Sequence, residues 1–316
     1  MSAVKDAGAP SGAPAPPART RSSADNRDAK WAWWFVIPSL AGILLFYIWP
    51  IFKTGYYSFT KWGAFGNSIT WVGTDNYARL FKDPYLLTSI LNTLIYTAIV
   101  LCAIPIAVVF ASLINRPGLK FATLYRVAFF MPYVAMPTAI ALVWRMIYNG
   151  DFGVLNYLLS FFGIQGPAWT STKGFAIVAV GVLGLWASLG FIMIVLSAGL
   201  KSIPPELYEA ASLDGASPTK QFWHITVPLL TPSIFFITVI TVINGFQLFD
   251  MLFALMGGKQ NPAMNDSQSL VYLFYNNAFI LNDKGYAAAI AMLILVLVGA
   301  VTVFQFRMQK KWVNYE

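Results

Sequence analysis

Six long apolar stretches, each free of charged residues, divide the chain: residues 31–52 (up to Lys53 at its edge), 85–115, 127–144, 174–200, 225–249 and 285–306. A helix needs about 20 apolar residues to cross the hydrocarbon core of a bilayer. Five of the stretches meet that length. The third is short, but it lies between Arg126 and Arg145, whose long side chains can carry their charges out to the two interfaces. The pattern predicts an all-α integral membrane protein with six transmembrane helices.

Composition agrees. The chain is 58% hydrophobic and 16% aromatic but only 11% charged, against roughly 25% charged in soluble domains. Residues 1–30 break the pattern. They are rich in Ala, Pro, Ser and Gly, which predicts a disordered tail, and thirty polar residues before the first apolar run do not fit a signal peptide. The net charge of +8 follows topology, so no nucleic-acid partner is expected. With the N-terminus inside, 13 of the 21 Lys and Arg fall on the inner segments and 8 on the outer ones. The positive-inside rule therefore predicts a multi-pass protein of the cytoplasmic membrane with both termini cytoplasmic. Trp31, Trp33, Trp34 and Trp49 bracket the first helix as interfacial anchors.

The chemical inventory is thin. Cys102 and His224 are the only cysteine and histidine, too few for a His/Cys metal site. No carboxylate pair stands out as a general acid and base, and there is no phosphate-binding loop ending in Lys-Ser or Lys-Thr. No metal, cofactor or catalytic residue is expected. A secondary transporter usually keeps several buried ionisable groups; only Asp250 approaches that here.

The segment 201–228, on the predicted inner side, carries the most information. Pro204 and Pro205 suit the start of a short helix, and Glu206 faces the positive end of its dipole. Leu207, Ala210, Ala211 and Asp214 follow at helical spacing. Gly215 is placed to end the helix in a left-handed conformation. Ser217 and Pro218 then read as cap and first residue of a second short helix. The spacing Glu209-Ala210-Ala211, Gly215 after three further residues, then Ile225 and Pro228 resembles the EAA loop of binding-protein-dependent ABC importers. Val227 stands where that pattern usually has Leu.

The segments Trp71–Pro84 with Asn92-Thr93, Arg126–Pro132 and Gly285–Ala291 are similar to the MalF-like sugar permeases within that family. The large inserted external domain of the maltose permease is absent, and Gly257–Pro262 matches the family's glycine-rich segment only loosely. The resemblance implies a type-1 permease core over residues 86–307, preceded by a first helix at 31–52. It implies an ATP-driven importer subunit for a di- or oligosaccharide, or for glycerol-3-phosphate or another polyol, that is not itself an enzyme. Its partners would be a dimer of ATP-binding subunits, a second homologous permease and an extracytoplasmic solute-binding protein. Leu207, Glu209, Ala210, Ala211, Gly215 and Pro228 would form the coupling segment that docks into the ATPase.

For the sugar path the sequence offers Asn244 and Gln247, one turn apart, with Phe246, Phe249 and Asp250 beside them and Trp186 in the fourth helix. Amides can bond sugar hydroxyls and aromatic rings can stack on a pyranose. The same amides could equally hydrogen-bond between helices. Ser188 is expected to bond back within its helix, and Gly181, Gly184 and Gly190 to allow close helix packing.

Overall fold

The computed structural model of the protein describes residues 23–62, 68–116 and 118–313. Their regular elements are helical apart from one two-stranded hairpin. The elements are α1 (Ser23–Ile43), α2 (Trp49–Tyr57), β1 (Thr60–Trp62), β2 (Ile69–Trp71), α3 (Asp75–Leu80), α4 (Pro84–Leu101), α5 (Ala103–Ile114), α6 (Ala122–Val134) and α7 (Pro137–Ile147). They continue with α8 (Val154–Ser160), α9 (Phe175–Lys201), α10 (Pro205–Leu213), α11 (Pro218–Gln221), α12 (Val227–Leu229), α13 (Thr231–Phe246), α14 (Asp250–Met256), α15 (Met264–Ser267), α16 (Leu270–Tyr275) and α17 (Lys284–Trp312). Three five-residue π turns interrupt the helices, at Leu44–Ile48, Phe222–Thr226 and Asn276–Ile280.

The chain divides into two units, Met1–Lys53 and Thr54–Glu316. In the first, α1 is helical from Ser23, inside the expected tail. Residues 1–22 of that expected tail lie outside the described residues. The apolar helix Trp33–Tyr57 has no part of its most apolar window buried.

In the second unit, five predicted stretches meet the structure in two ways. The stretches at 85–115, 174–200 and 285–306 become Pro84–Ile114, Phe175–Lys201 and Lys284–Lys311, each long and apolar enough to cross a membrane. The stretch at 127–144, expected as one short helix, is instead the pair α6 and α7, bent by 98°. Pro132 and Pro137 cause the break: Pro132 takes one amide donor out of the last turn of α6, and Met136, before Pro137, leaves the helical region as such residues do, with ψ of 125° after 147° at Ala135. The fifth stretch is also bent, by 62° between Pro218–Leu229 and Thr231–Phe246, at Pro228 and Pro232. The described residues thus hold four straight apolar spans, or up to six if each bent pair is one span.

Helix α9 is the axis of this unit, with 61% of its most apolar window buried. In lipid there is little hydrophobic drive between helices, so close van der Waals packing over small residues must hold them. A Cβ at Gly184 would stand 2.5 Å from the Tyr96 hydroxyl on α4, and one at Gly181 2.7 Å from Ile99. Gly190 lets the Phe129–Phe130 backbone of α6 lie against α9. The expected packing role of these glycines is what the structure shows. Ser188 Oγ donates to the Leu185 carbonyl at 3.0 Å, within its own helix as expected.

Loops predicted on one side meet one another. Lys173 pairs with Asp266 at 2.7 Å, Asn261 Nδ2 donates to the Thr170 carbonyl at 2.9 Å, and Asn92 Nδ2 donates to the carbonyls of Asp266 and Gln268 at 2.8 and 3.1 Å. At the other end, Arg126 Nη2 donates to Asn115 Oδ1 at 2.9 Å, and Asn115 Nδ2 to Ser197 Oγ at 2.9 Å.

The hairpin and α3 form a small cap at the start of α17. Strands β1 and β2 pair antiparallel with Lys61 opposite Thr70. Asn76, buried, donates through Nδ2 to the carbonyls of Ser58 and Thr60, both at 2.9 Å. Arg79 pairs with Asp283 and lies 4.0 Å over the ring of Tyr286. The Tyr286 hydroxyl donates to Asp83, which also caps α4 by accepting from the Tyr85 amide at 2.8 Å. Gly285 is required here, since a Cβ would run into the Thr60 carbonyl.

Candidate functional site

Two places gather the residues singled out in the sequence: the segment 201–228 and a groove opened by the α6–α7 bend.

In the first, local sequence rules build two short helices at a fixed angle. Pro205 occupies the first turn of α10, and Pro218 that of α11 behind its cap Ser217, whose Oγ accepts from the Lys220 amide at 3.4 Å. Between them Gly215 has φ +74°, left-handed as expected, which lets the Ala216 amide donate to the Ala211 carbonyl at 2.9 Å and close α10. Gln221 then braces the turn. Its Nε2 donates to Ser212 Oγ at 3.0 Å and to the Ala216 carbonyl at 3.1 Å. The segment is anchored by Ile203, buried, and by Tyr208, whose hydroxyl meets Thr226 Oγ1 at 2.9 Å. Pro228 stands at the start of α12, where its carbonyl accepts from Thr231 Oγ1 at 2.7 Å.

The outward face of this rigid unit is apolar. Leu207, Ala210 and Leu213 recur at helical spacing along α10 and are exposed, and Leu213 is 90% exposed. Glu206 and Glu209 flank that stripe, both exposed, while Ala211 is half-buried. A leucine so fully uncovered costs about 1.5–3 kcal/mol of burial left unrealised. Such a patch on a well-braced helix marks a contact surface.

The second place is a groove of about 180 Å³ between α4, the α6–α7 bend, α9 and α13. Asn244 lines it, together with Tyr133, Ser188, Phe191 and Thr241; the rings of Tyr133 and Phe191 stack at 4.9 Å. Gln247, expected on the same helical face, lies just past α13 as its C-terminal cap and is exposed. Phe246 departs from the expected grouping: it is buried among Val242, Leu270 and Tyr286, away from the groove. Asp250 is exposed in the first turn of α14, where the helix dipole favours it. Trp186 packs on Trp144, ring centroids 5.3 Å apart, and does not line the groove. Sequence reasoning missed Tyr133 and Phe191; the signal was the Pro132–Pro137 pair, which turns their surroundings into a wall. The groove contains no Lys or Arg among the described residues.

Asn92 and Thr93, grouped above with the second helix, are structural. Thr93 Oγ1 accepts from the Leu270 amide at 3.1 Å, and with the Asn92 bonds this ties α4 to the 266–270 segment.

Comparison with known proteins adds the following. Residues 85–314 match the family described as "binding-protein-dependent transport system inner membrane component". The chain is 33% identical over 283 residues to the multiple sugar-binding transport system permease protein MsmF of Streptococcus mutans, covering 89% of this chain and 96% of that one. It is 32% identical to the sn-glycerol-3-phosphate transport system permease protein UgpA of Agrobacterium fabrum, over 89% of this chain and 94% of that one. Among solved structures, a chain of a bacterial ABC transporter involved in import of the acidic polysaccharide alginate superposes with a TM-score of 0.79 at 21% identity, covering 92% of this chain and 99% of that one.

Proposed function

The chain belongs to the inner-membrane components of binding-protein-dependent transport systems, and from that premise we propose that it passes a di- or oligosaccharide across the cytoplasmic membrane while a partner hydrolyses ATP. As a permease subunit it is not an enzyme. The observation that carries the reading is the braced α10, with its uncovered stripe of Leu207, Ala210 and Leu213 beside Glu209. That stripe is the surface offered to an ATP-binding subunit, and Ala210, Ala211 and Gly215 keep the approach close and the turn fixed.

Six spans with both termini cytoplasmic complete the topology, each bent pair counting as one crossing; the two clusters of loop contacts support it. The transport core runs over 86–307, after a first helix at 31–52. A dimer of ATPases, a second homologous permease and an external solute-binding protein complete the importer. Asn244, with Gln247 just past α13 and Asp250 at the start of α14, lies on the path; Phe246 and Trp186 support it by packing. Likeness to MsmF favours a sugar, as does a groove of amide, hydroxyl and aromatic groups. Likeness to UgpA keeps glycerol-3-phosphate as a second reading, which the absence of a cation in the groove disfavours.

The test is Glu209→Lys in the assembled transporter. The variant should insert normally yet lose uptake and substrate-stimulated ATPase activity; normal uptake would end the coupling assignment. Competition of uptake by a panel of radiolabelled sugars and by sn-glycerol-3-phosphate separates the two cargo readings.

A further inference from the structure

Helices α6 and α9 enclose a second groove, of about 290 Å³, at the end of α9 that the charge bias assigns to the cytoplasm. Its lining is divided by chemistry. Arg126, Lys201 and Ser197 stand on one part, and Phe129, Met193 and Ile194 on another. Arg126 spends only one guanidinium nitrogen within the protein, Nη2 on Asn115; its Nε is buried with no partner. Neither Arg126 nor Lys201 forms an ion pair among the described residues. Two cations without a counter-charge beside an apolar lining call for an anionic acceptor. Ile194, 44% exposed, leaves the apolar part open sideways.

We infer that this groove binds one anionic phospholipid, its phosphate accepting from Arg126 and Lys201 and an acyl chain lying over Phe129 and Ile194. A guanidinium presents paired N–H groups in the fork that suits a phosphate, and basic pockets between membrane helices on the cytoplasmic side suit anionic head groups. A soluble anion would use the charges and leave the apolar part empty. The lipid uses both, and it does so independently of the cargo.

The test is native mass spectrometry on the full-length chain in mild detergent, with phosphatidylglycerol and phosphatidylcholine of identical chains added in equal amounts. Phosphatidylglycerol should be retained at least tenfold more than phosphatidylcholine, and glycerol phosphate should not displace it. Lys201→Gln removes a charge, and Ile194→Trp fills the apolar part while leaving both charges in place. Each should reduce the preference to less than threefold. Arg126 is left intact because it also holds Asn115. Equal retention of the two lipids would overturn the assignment, as would a preference unchanged in both variants. Displacement by glycerol phosphate would identify a soluble anion instead. Cross-linking of Ile194→Cys to another subunit of the assembled transporter would identify a protein occupant and equally exclude the lipid.

Discussion

The cap at the start of α17 and the segment around α10 are both short, both extramembranous by hydropathy, and built in opposite ways. In the cap, polar groups find partners inside the chain: Asn76 bonds two carbonyls, Arg79 meets Asp283, and Tyr286 meets Asp83. In the α10 segment the bracing is equally complete, through Gln221, Ser212 and Gly215, but it holds a leucine stripe out to solvent. The cap closes most of its buried polar groups with its own residues, although Trp71 and Phe81 stay exposed. The α10 segment is finished only when something covers it. Good local hydrogen bonding therefore does not distinguish a structural loop from a docking one; what the bracing presents does.

Substitutions can break this contrast in order of their effect on stability. Asn76→Leu should have the largest, about 2–3 kcal/mol, because two carbonyls lose their donor; thermal unfolding of the purified protein checks it, and an unchanged midpoint would mean the cap is not integral. Gly215→Val forces a β-branched residue into left-handed geometry at a cost of roughly 1–2 kcal/mol. Since nothing lies within 4 Å of a Cβ there, the cost is conformational, and it should appear as faster proteolysis between α10 and α11. Tyr286→Phe removes one hydroxyl from Asp83 and should cost about 1 kcal/mol with uptake retained. Leu213→Asp should leave the unfolding midpoint within a degree of the wild type yet lower uptake at least tenfold. A stability loss in that last variant would show that Leu213 is structural after all.

Much of the α10 segment was legible because its grammar is local. A proline in the first turn, a serine cap and a glycine past the end each act within four residues, and the structure places Pro205, Ser217 and Gly215 accordingly. The 127–144 stretch was misread because hydropathy counts apolarity and not direction. Two prolines five residues apart turn one apolar run into two helices without changing its composition. The end of the fifth stretch was overrun for a related reason. Phe249, apolar enough to extend a helix, sits at φ −144°, ψ −63° between α13 and α14. Phe246 and Asn244 are two residues apart, so a helix must turn them to different sides, and only the fold decides which side is core. The pairing of Asn92 and Thr93 with residues more than 170 positions away has no local signature at all.

The π turn at Phe222–Thr226 absorbs a phase. It lodges one extra residue in the helical path between the braced segment and α13, and at 3.6 residues per turn a single residue is worth about 100° of azimuth. The wide turn takes up that 100° within itself, so the helix on either side keeps its phase, and removing the extra residue would restore regular winding with Leu213 on the same bearing. The π turn thus acts as a slip joint: it lets the path from Gly215 to α13 carry a residue more than regular winding needs without turning the leucine stripe.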